Sequence, residues 1–236
     1  MKISWFSAGV SSAVATKLSN PDRIFYNPVA DMHPDTHRFI RDCATWFGKP
    51  VELMSGRVGS VEDACRLASC LTIPRSFTAC TKHLKIAVRK AWEKNNPGRH
   101  TYIWGMDLKE AERAENLVAR NPDYDHEFPL INAGMSKEDA HGYLARAGIK
   151  RPAMYDEGYP NNNCLGCIRG KLGYWNKIRI DYPKIFKSRS RLERVIGHSI
   201  IPGVYLDQLP QWRGKKLKPI VAECGAACEI SLGIYL

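Results

Sequence analysis

The sequence predicts an α/β fold: a doubly wound, mostly parallel sheet with a cysteine-rich C-terminal appendage. Three observations predict it. Short β-rich apolar runs alternate with helical stretches of roughly 10–15 residues over the first 150 residues. The first of these runs ends in a loop of small residues and passes straight into a helix. Beyond Gly148 the alternation stops, and an irregular Pro-, Gly- and Asn-containing stretch leads to Cys164-Leu165-Gly166-Cys167. The expected organisation is an α/β domain over 1–150 with a basic, cysteine-containing region, 151–236, packed on it.

Taken in order, residues 2–7 read as a buried strand, 10–18 as a helix and 23–27 as a second strand. Residues 36–47 look helical and 50–54 look like a third strand. Helical periodicity returns over 60–69 and 82–93, and 101–105 is another β-rich run. Ser136 is placed to cap a helix, with Glu138 and Asp139 favourably sited in its first turn. Helical stretches around 173–180 and 184–196 precede a Pro/Gly-rich tail. There is no internal repeat and no low-complexity segment.

Composition narrows the class. A chain of 236 residues that is 44% hydrophobic can bury a substantial core, so disorder is not expected. No window approaches the ~18 apolar residues of a membrane span, and the first apolar run is too short for a secretory signal. A cytoplasmic location is therefore expected, where eight cysteines serve as thiols or metal ligands rather than disulfides. Charge is uneven. The stretch 168–219 holds thirteen Lys or Arg against Asp181, Glu193 and Asp207, so it carries +10 of the chain's +11. Such a block suits an anionic partner: tRNA or DNA, a nucleotide, or an acidic protein.

Two sites carry chemistry. The C-x-x-C sets Cys164 and Cys167 on one tight turn, able to grip a metal or to form a disulfide, with Cys80, Cys224 and Cys228 as further thiols. Closed on themselves, Cys164, Cys167, Cys224 and Cys228 would make a zinc knot. The second site is Ser7-Ala8-Gly9-Val10-Ser11-Ser12. Small residues there let backbone N–H groups approach an anion, and the hydroxyls of Ser7, Ser11 and Ser12 can donate to phosphate oxygens. Cys43 and Cys65, in helical contexts, read as small core residues, and Tyr174 and Trp175 as packing.

The loop resembles the PP-loop, S-G-G-x-D-S, of the adenine-nucleotide α-hydrolase superfamily, with Ala8 where Gly is usual and Ser11 where the pyrophosphatases have Asp. Further segments resemble that superfamily's phosphoadenosine phosphosulfate (PAPS) and adenylylsulfate (APS) reductases. These are the acidic loop from Asp31, Ala79-Cys80-Thr81-Lys82-His83-Leu84-Lys85, and Gly105-Met106-Asp107 with Glu110 and Arg113. The C-x-x-C followed by Gly173-Tyr174-Trp175, and Glu223-Cys224-Gly225, complete the set.

The resemblance implies a Rossmann-like sheet binding an adenine nucleotide (PAPS, APS or ATP) through Ser7, Gly9, Ser11, Ser12, Asp31, Lys82, Lys85 and Arg113. It implies Cys224 as the catalytic thiolate and a 4Fe–4S cluster on Cys80, Cys164 and Cys167. Ala79 occupies the usual fourth ligand's place, leaving Cys228, Cys70 or an open iron. A thioredoxin-like partner would supply electrons. The alternative is an ATP-dependent sulfurtransferase that modifies tRNA or DNA.

Overall fold

Five short parallel strands stand at the centre of the computed structural model, which describes residues 1–72 and 78–221. In chain order the elements are β1 (Lys2–Trp5), α1 (Val10–Ser19), β2 (Arg23–Tyr26), α2 (Thr36–Phe47), β3 (Val51–Leu53), α3 (Val61–Ala68), α4 (Ala79–Thr81) and α5 (Ala87–Asn95). β4 (Thr101–Ile103), α6 (Ala111–Arg120), β5 (Asp125–Glu127), α7 (Pro129–Asn132), α8 (Lys137–Arg146), α9 (Ala153–Asp156), α10 (Leu172–Asp181) and α11 (Pro183–Ile196) follow. The sheet order is β3-β2-β1-β4-β5, every pair parallel. The predicted α/β class and parallel sheet are therefore present.

Side chains alternate across the sheet, as a period of two requires. Ile24, Tyr26, Phe6 and Ile103 join a core with α1, α2 and α8, whereas Ile3, Phe25 and Tyr102 pack against Trp92 of α5 on the other face. Burial on both faces explains why these strands read as continuous apolar runs. Ser4 is the exception, and its buried hydroxyl meets Thr16 of α1 at 2.6 Å, which satisfies both groups.

The chain runs β1, β2, β3 toward one edge and then returns to set β4 on the other side of β1. That reversal opens a crevice outside the C-terminal ends of β1 and β4, where parallel α/β sheets gather their ligands. Gly105, after β4, lets this crevice close tightly: a Cβ there would lie 2.6 Å from the Ser12 Cα.

Residues 151–221 build a smaller core of their own around Trp175, Tyr159, Ile178 and Phe186. They also lean on the sheet domain, with Ile168 and Leu192 packed among Val61, Cys65 and Leu84. Among the described residues no helix is long and apolar enough to cross a membrane.

Candidate functional site

The loop after β1 occupies the crevice. Ala8 is fully buried at φ +56°, the left-handed region that glycine reaches at no cost and alanine reaches at about 1–2 kcal/mol. Gly9 then caps α1 in extended geometry and has no side chain to bond the first-turn N–H groups of the helix. Ser7 N–H donates to Ser12 Oγ at 3.1 Å, which closes the loop on itself. Ser7 is exposed, and Gly9, Ser11 and Ser12 are half-buried, so the predicted phosphate-loop residues form one partly open surface.

Two side chains from the C-terminal region hold this loop. Tyr155 of α9 offers its hydroxyl to the Val10 N–H at 3.3 Å. Asn162, 5% exposed, donates Nδ2 to Ala8 O at 2.8 Å and to Thr36 Oγ1 at 3.3 Å. The approach of α9 is itself set by Asp35, whose Oδ2 accepts the Ala153 N–H at 2.9 Å. Arg38 braces the same junction by donating to the carbonyls of Lys150 and Arg151. The Arg38 guanidinium beside Asp35 holds that carboxyl down at about 2. Nothing in the sequence pattern marked Tyr155. The asparagine run had pointed to an irregular loop, and the structure makes its middle member a tether.

Two residues beyond Asn162 the cysteine turn begins. Its geometry is held from three sides. Tyr174 Oη accepts the Cys167 N–H at 2.9 Å and donates to Cys164 O at 3.1 Å. Leu165 N–H donates to Asp31 O at 2.7 Å. Arg189 of α11, 2% exposed, donates Nε to Gly166 O and pairs Nη2 with the Asp31 carboxylate. Gly166 is required twice over, at φ +69° and with a Cβ position only 2.7 Å from Ile185. Tyr174 is thus packed in the core, as expected, and also clips the turn.

Cys80 comes to this turn from 84 positions away in sequence. Cys80 and Cys164 pack on the same apolar cluster, and Cys80 lies close enough to Cys164 and Cys167 to add to the upward shift of both. Burial pushes the Cys164 thiol up to about 12, and Cys167 also upward, with Lys85 pulling both the other way. Buried, protonated thiols of this kind are poor nucleophiles. Cys164 Sγ donates to Met32 Sδ at 3.6 Å, and Cys80 Sγ lies 3.2 Å from Thr78 Oγ1. Among the described residues no group of three His, Cys, Asp or Glu side chains is arranged to hold a metal ion. The three thiols therefore do not by themselves fit a cluster or zinc centre. Cys224 and Cys228 lie outside the described residues.

The remaining site residues separate. Asp31 accepts from Arg189 on Oδ1 and from the Val61 N–H at 2.6 Å on Oδ2, so each oxygen already has a protein donor. Lys82 and Lys85 stand exposed on a widened turn, Lys82–Ile86, that interrupts the helix expected over 82–93. Such π-turns recur at functional sites. Arg113, exposed on α6, pairs with Glu110 and faces a different space. That space is a cleft of about 1410 Å³ bounded by α5, α6, Trp104 and Met106 after β4, the residues following Cys167, and the strap 214–218. Cys43 and Cys65 are fully buried, as expected of core cysteines.

No protein-family model matches this chain, and no curated protein does. Among solved structures, the phosphoadenylyl-sulfate (PAPS) reductase of Candida auris, in complex with phosphate, is similar. The likeness covers 69% of this chain and 80% of that one at 13% identity, with a TM-score of 0.48.

Proposed function

We propose that this chain binds an adenine nucleotide at residues 7–12 and carries out thiol-linked sulfur chemistry beside it, in the manner of PAPS and APS reductases. The observation that carries this reading is the Asn162 tether, which joins the anion-binding loop at Ala8 O to a cysteine turn two residues farther on. Ser7, Gly9, Ser11 and Ser12 would cradle a phosphate at the N-terminus of α1, and Lys82 and Lys85 would meet the charge of the phosphosulfate. The Cys224 thiolate would attack the sulfate sulfur. The bond from that sulfur to the phosphate oxygen breaks, the nucleotide leaves with the electron pair, and an S-sulfocysteine remains. A second thiol then attacks the cysteine sulfur, forming a disulfide and releasing sulfite, and a thioredoxin-like dithiol restores both thiols by exchange. Burial of Cys164 and Cys167 supports a nucleophile elsewhere in the chain.

The iron–sulfur centre belongs to this proposal only as a ligand set, Cys80, Cys164, Cys167 and Cys228, and the zinc knot in its place as Cys164, Cys167, Cys224 and Cys228. No step is assigned to it. The alternative reading, an ATP-dependent sulfurtransferase acting on tRNA or DNA, uses the same loop but releases AMP and pyrophosphate.

The test is anaerobic purification with iron, acid-labile sulfide and zinc quantified, then calorimetric titration with APS, PAPS and ATP. Binding of one of the three is expected, weakened at least tenfold by Gly9→Glu, which sets a like charge at the helix N-terminus. Failure of all three nucleotides to bind overturns the reading. Cys224→Ser should bind nucleotide and release no sulfite; retained release removes Cys224 from its role.

A further inference from the structure

Among the described residues, the cleft beside β4 is lined by nine Lys and Arg side chains and by no Asp or Glu. Two of the nine are held internally: Arg89 by Glu93 at 3.4 Å, and Arg113 by Glu110. The other seven make no ion pair with a described residue. They come from separate walls. Lys90 stands on α5 and Arg120 on α6, Arg169 and Lys171 follow the cysteine turn, and Lys215, Lys216 and Lys218 lie on the C-terminal strap. Like charges gathered from distant segments repel one another, and nothing acidic lining the cleft offsets them.

The strap is fixed rather than loosely draped. Asn176 Nδ2 donates to Pro210 O at 3.0 Å and to Arg213 O at 2.7 Å. Gly214, at φ +111°, and Gly173 are pressed together so closely that a Cβ on Gly173 would lie 1.8 Å from Lys215 O. Between these anchors the chain displays Trp212, 83% exposed, two residues before Gly214 enters the cleft lining. An anchored strap that holds an indole out in water beside three lysines is a stacking platform next to a phosphate track. A mononucleotide, with its few charges, does not account for a cleft of about 1410 Å³ and nine cations.

We propose that this cleft binds a single strand of nucleic acid by its phosphodiester backbone, with Trp212 stacked on one base. Unstacked bases are what an exposed indole can use, and a single strand provides them. Trp104 and Met106 of the lining flank Gly105, the residue packed on Ser12. The inference goes beyond the nucleotide reading and needs no nucleotide at residues 7–12.

The experiment is fluorescence anisotropy with short fluorescein-labelled DNA and RNA strands, between about 50 and 200 mM salt and without nucleotide. Binding should weaken with salt by a logarithmic slope of about −0.7 per phosphate contacted. Trp212→Ala should weaken it about tenfold at unchanged slope. Lys215→Gln with Lys216→Gln should shallow the slope by roughly one to two. All three positions are exposed, so the variants should fold. A preference for RNA or for DNA identifies the source of the strand and supports the proposal either way. No binding at the lowest salt overturns it. So do duplex binding tighter than strand binding, affinity indifferent to Trp212, and a Trp212-dependent self-association that accounts for the exposed indole. The Gly9→Glu protein should keep strand affinity while losing nucleotide, so the two readings fail separately.

Discussion

At Asn162 one amide serves two partners: Nδ2 reaches both Ala8 O and Thr36 Oγ1, while the buried Oδ1 has no partner among the described residues. Removing the donor leaves the Ala8 carbonyl unsatisfied at a position already in left-handed geometry. Asn162→Ala should lower stability by about 1–3 kcal/mol, read from the denaturant midpoint, and weaken nucleotide binding as well. A loss of stability with nucleotide affinity unchanged would reduce Asn162 to a structural residue. His141 acts on the same loop through Tyr155, against whose ring it stands edge-on at 4.6 Å. Burial first, then Arg151 and Lys137, depress its pKa from 6.5 to about 4. Its imidazole is therefore neutral when folded, and the unfolded chain takes up a proton first as pH falls. The stability it contributes is complete above about 6.5 and is lost as pH drops toward 4. Melting temperature followed from pH 7 to pH 4 should fall across that window, and the fall should flatten in His141→Gln. Equal slopes in the two proteins would reject the assignment.

Elements were legible to different degrees, and the differences have causes. The run 36–47 matches α2 because a buried apolar stripe lies on one helical face, Phe39, Ile40, Cys43 and Phe47 all pointing into the core. Ser136 caps α8 with a full capping box to Asp139, a local arrangement that four residues specify on their own. Ser136→Ala should cost about 1 kcal/mol in chemical denaturation. β5, in contrast, is Asp-His-Glu at the sheet edge and carries no apolar alternation; its pairing with β4 is set by tertiary context. The helix expected over 82–93 is interrupted by the π-turn at Lys82–Ile86, a hydrogen-bonding shift that side-chain periodicity does not encode. Gly173 also belongs to this scale, since it docks the strap on α10. Gly173→Ala should expel residues 213–216, seen as faster proteolysis there and weaker strand binding, with nucleotide binding retained.

At the scale of the molecule, the basic block of 168–219 is not one surface. Lys177 pairs with Asp181, Arg194 with Asp207, Arg179 donates to the carbonyls of Leu206 and Leu209, and Arg189 is buried against Asp31. Five members of the block reach the cleft, where four cations from α5 and α6 join them. Arg189 ties the two halves of the chain together, because its guanidinium reaches both Gly166 O and Asp31. Arg189→Met should destabilise by about 3–5 kcal/mol, since it leaves a carboxylate of low exposure without its partner. Adding Asp31→Asn should restore part of that loss; no recovery would mean that the Gly166 contact carries the effect.

Local chemistry was enough to read the parallel α/β sheet, the small-residue loop from β1 into α1, the cysteine turn and the helix cap. Each rests on periodicity, small residues or hydrogen bonds between near neighbours in the chain. The tether from Asn162 to Ala8, the approach of Cys80 to the C-x-x-C and the acid-free cleft were not readable that way. They join residues about 50 to 150 positions apart, and no periodicity encodes which distant groups meet once α9 docks on α2 and the strap docks on α10. Net charge was visible in the sequence. Which cations line the cleft and which are taken up by pairs within the protein was decided by the tertiary fold.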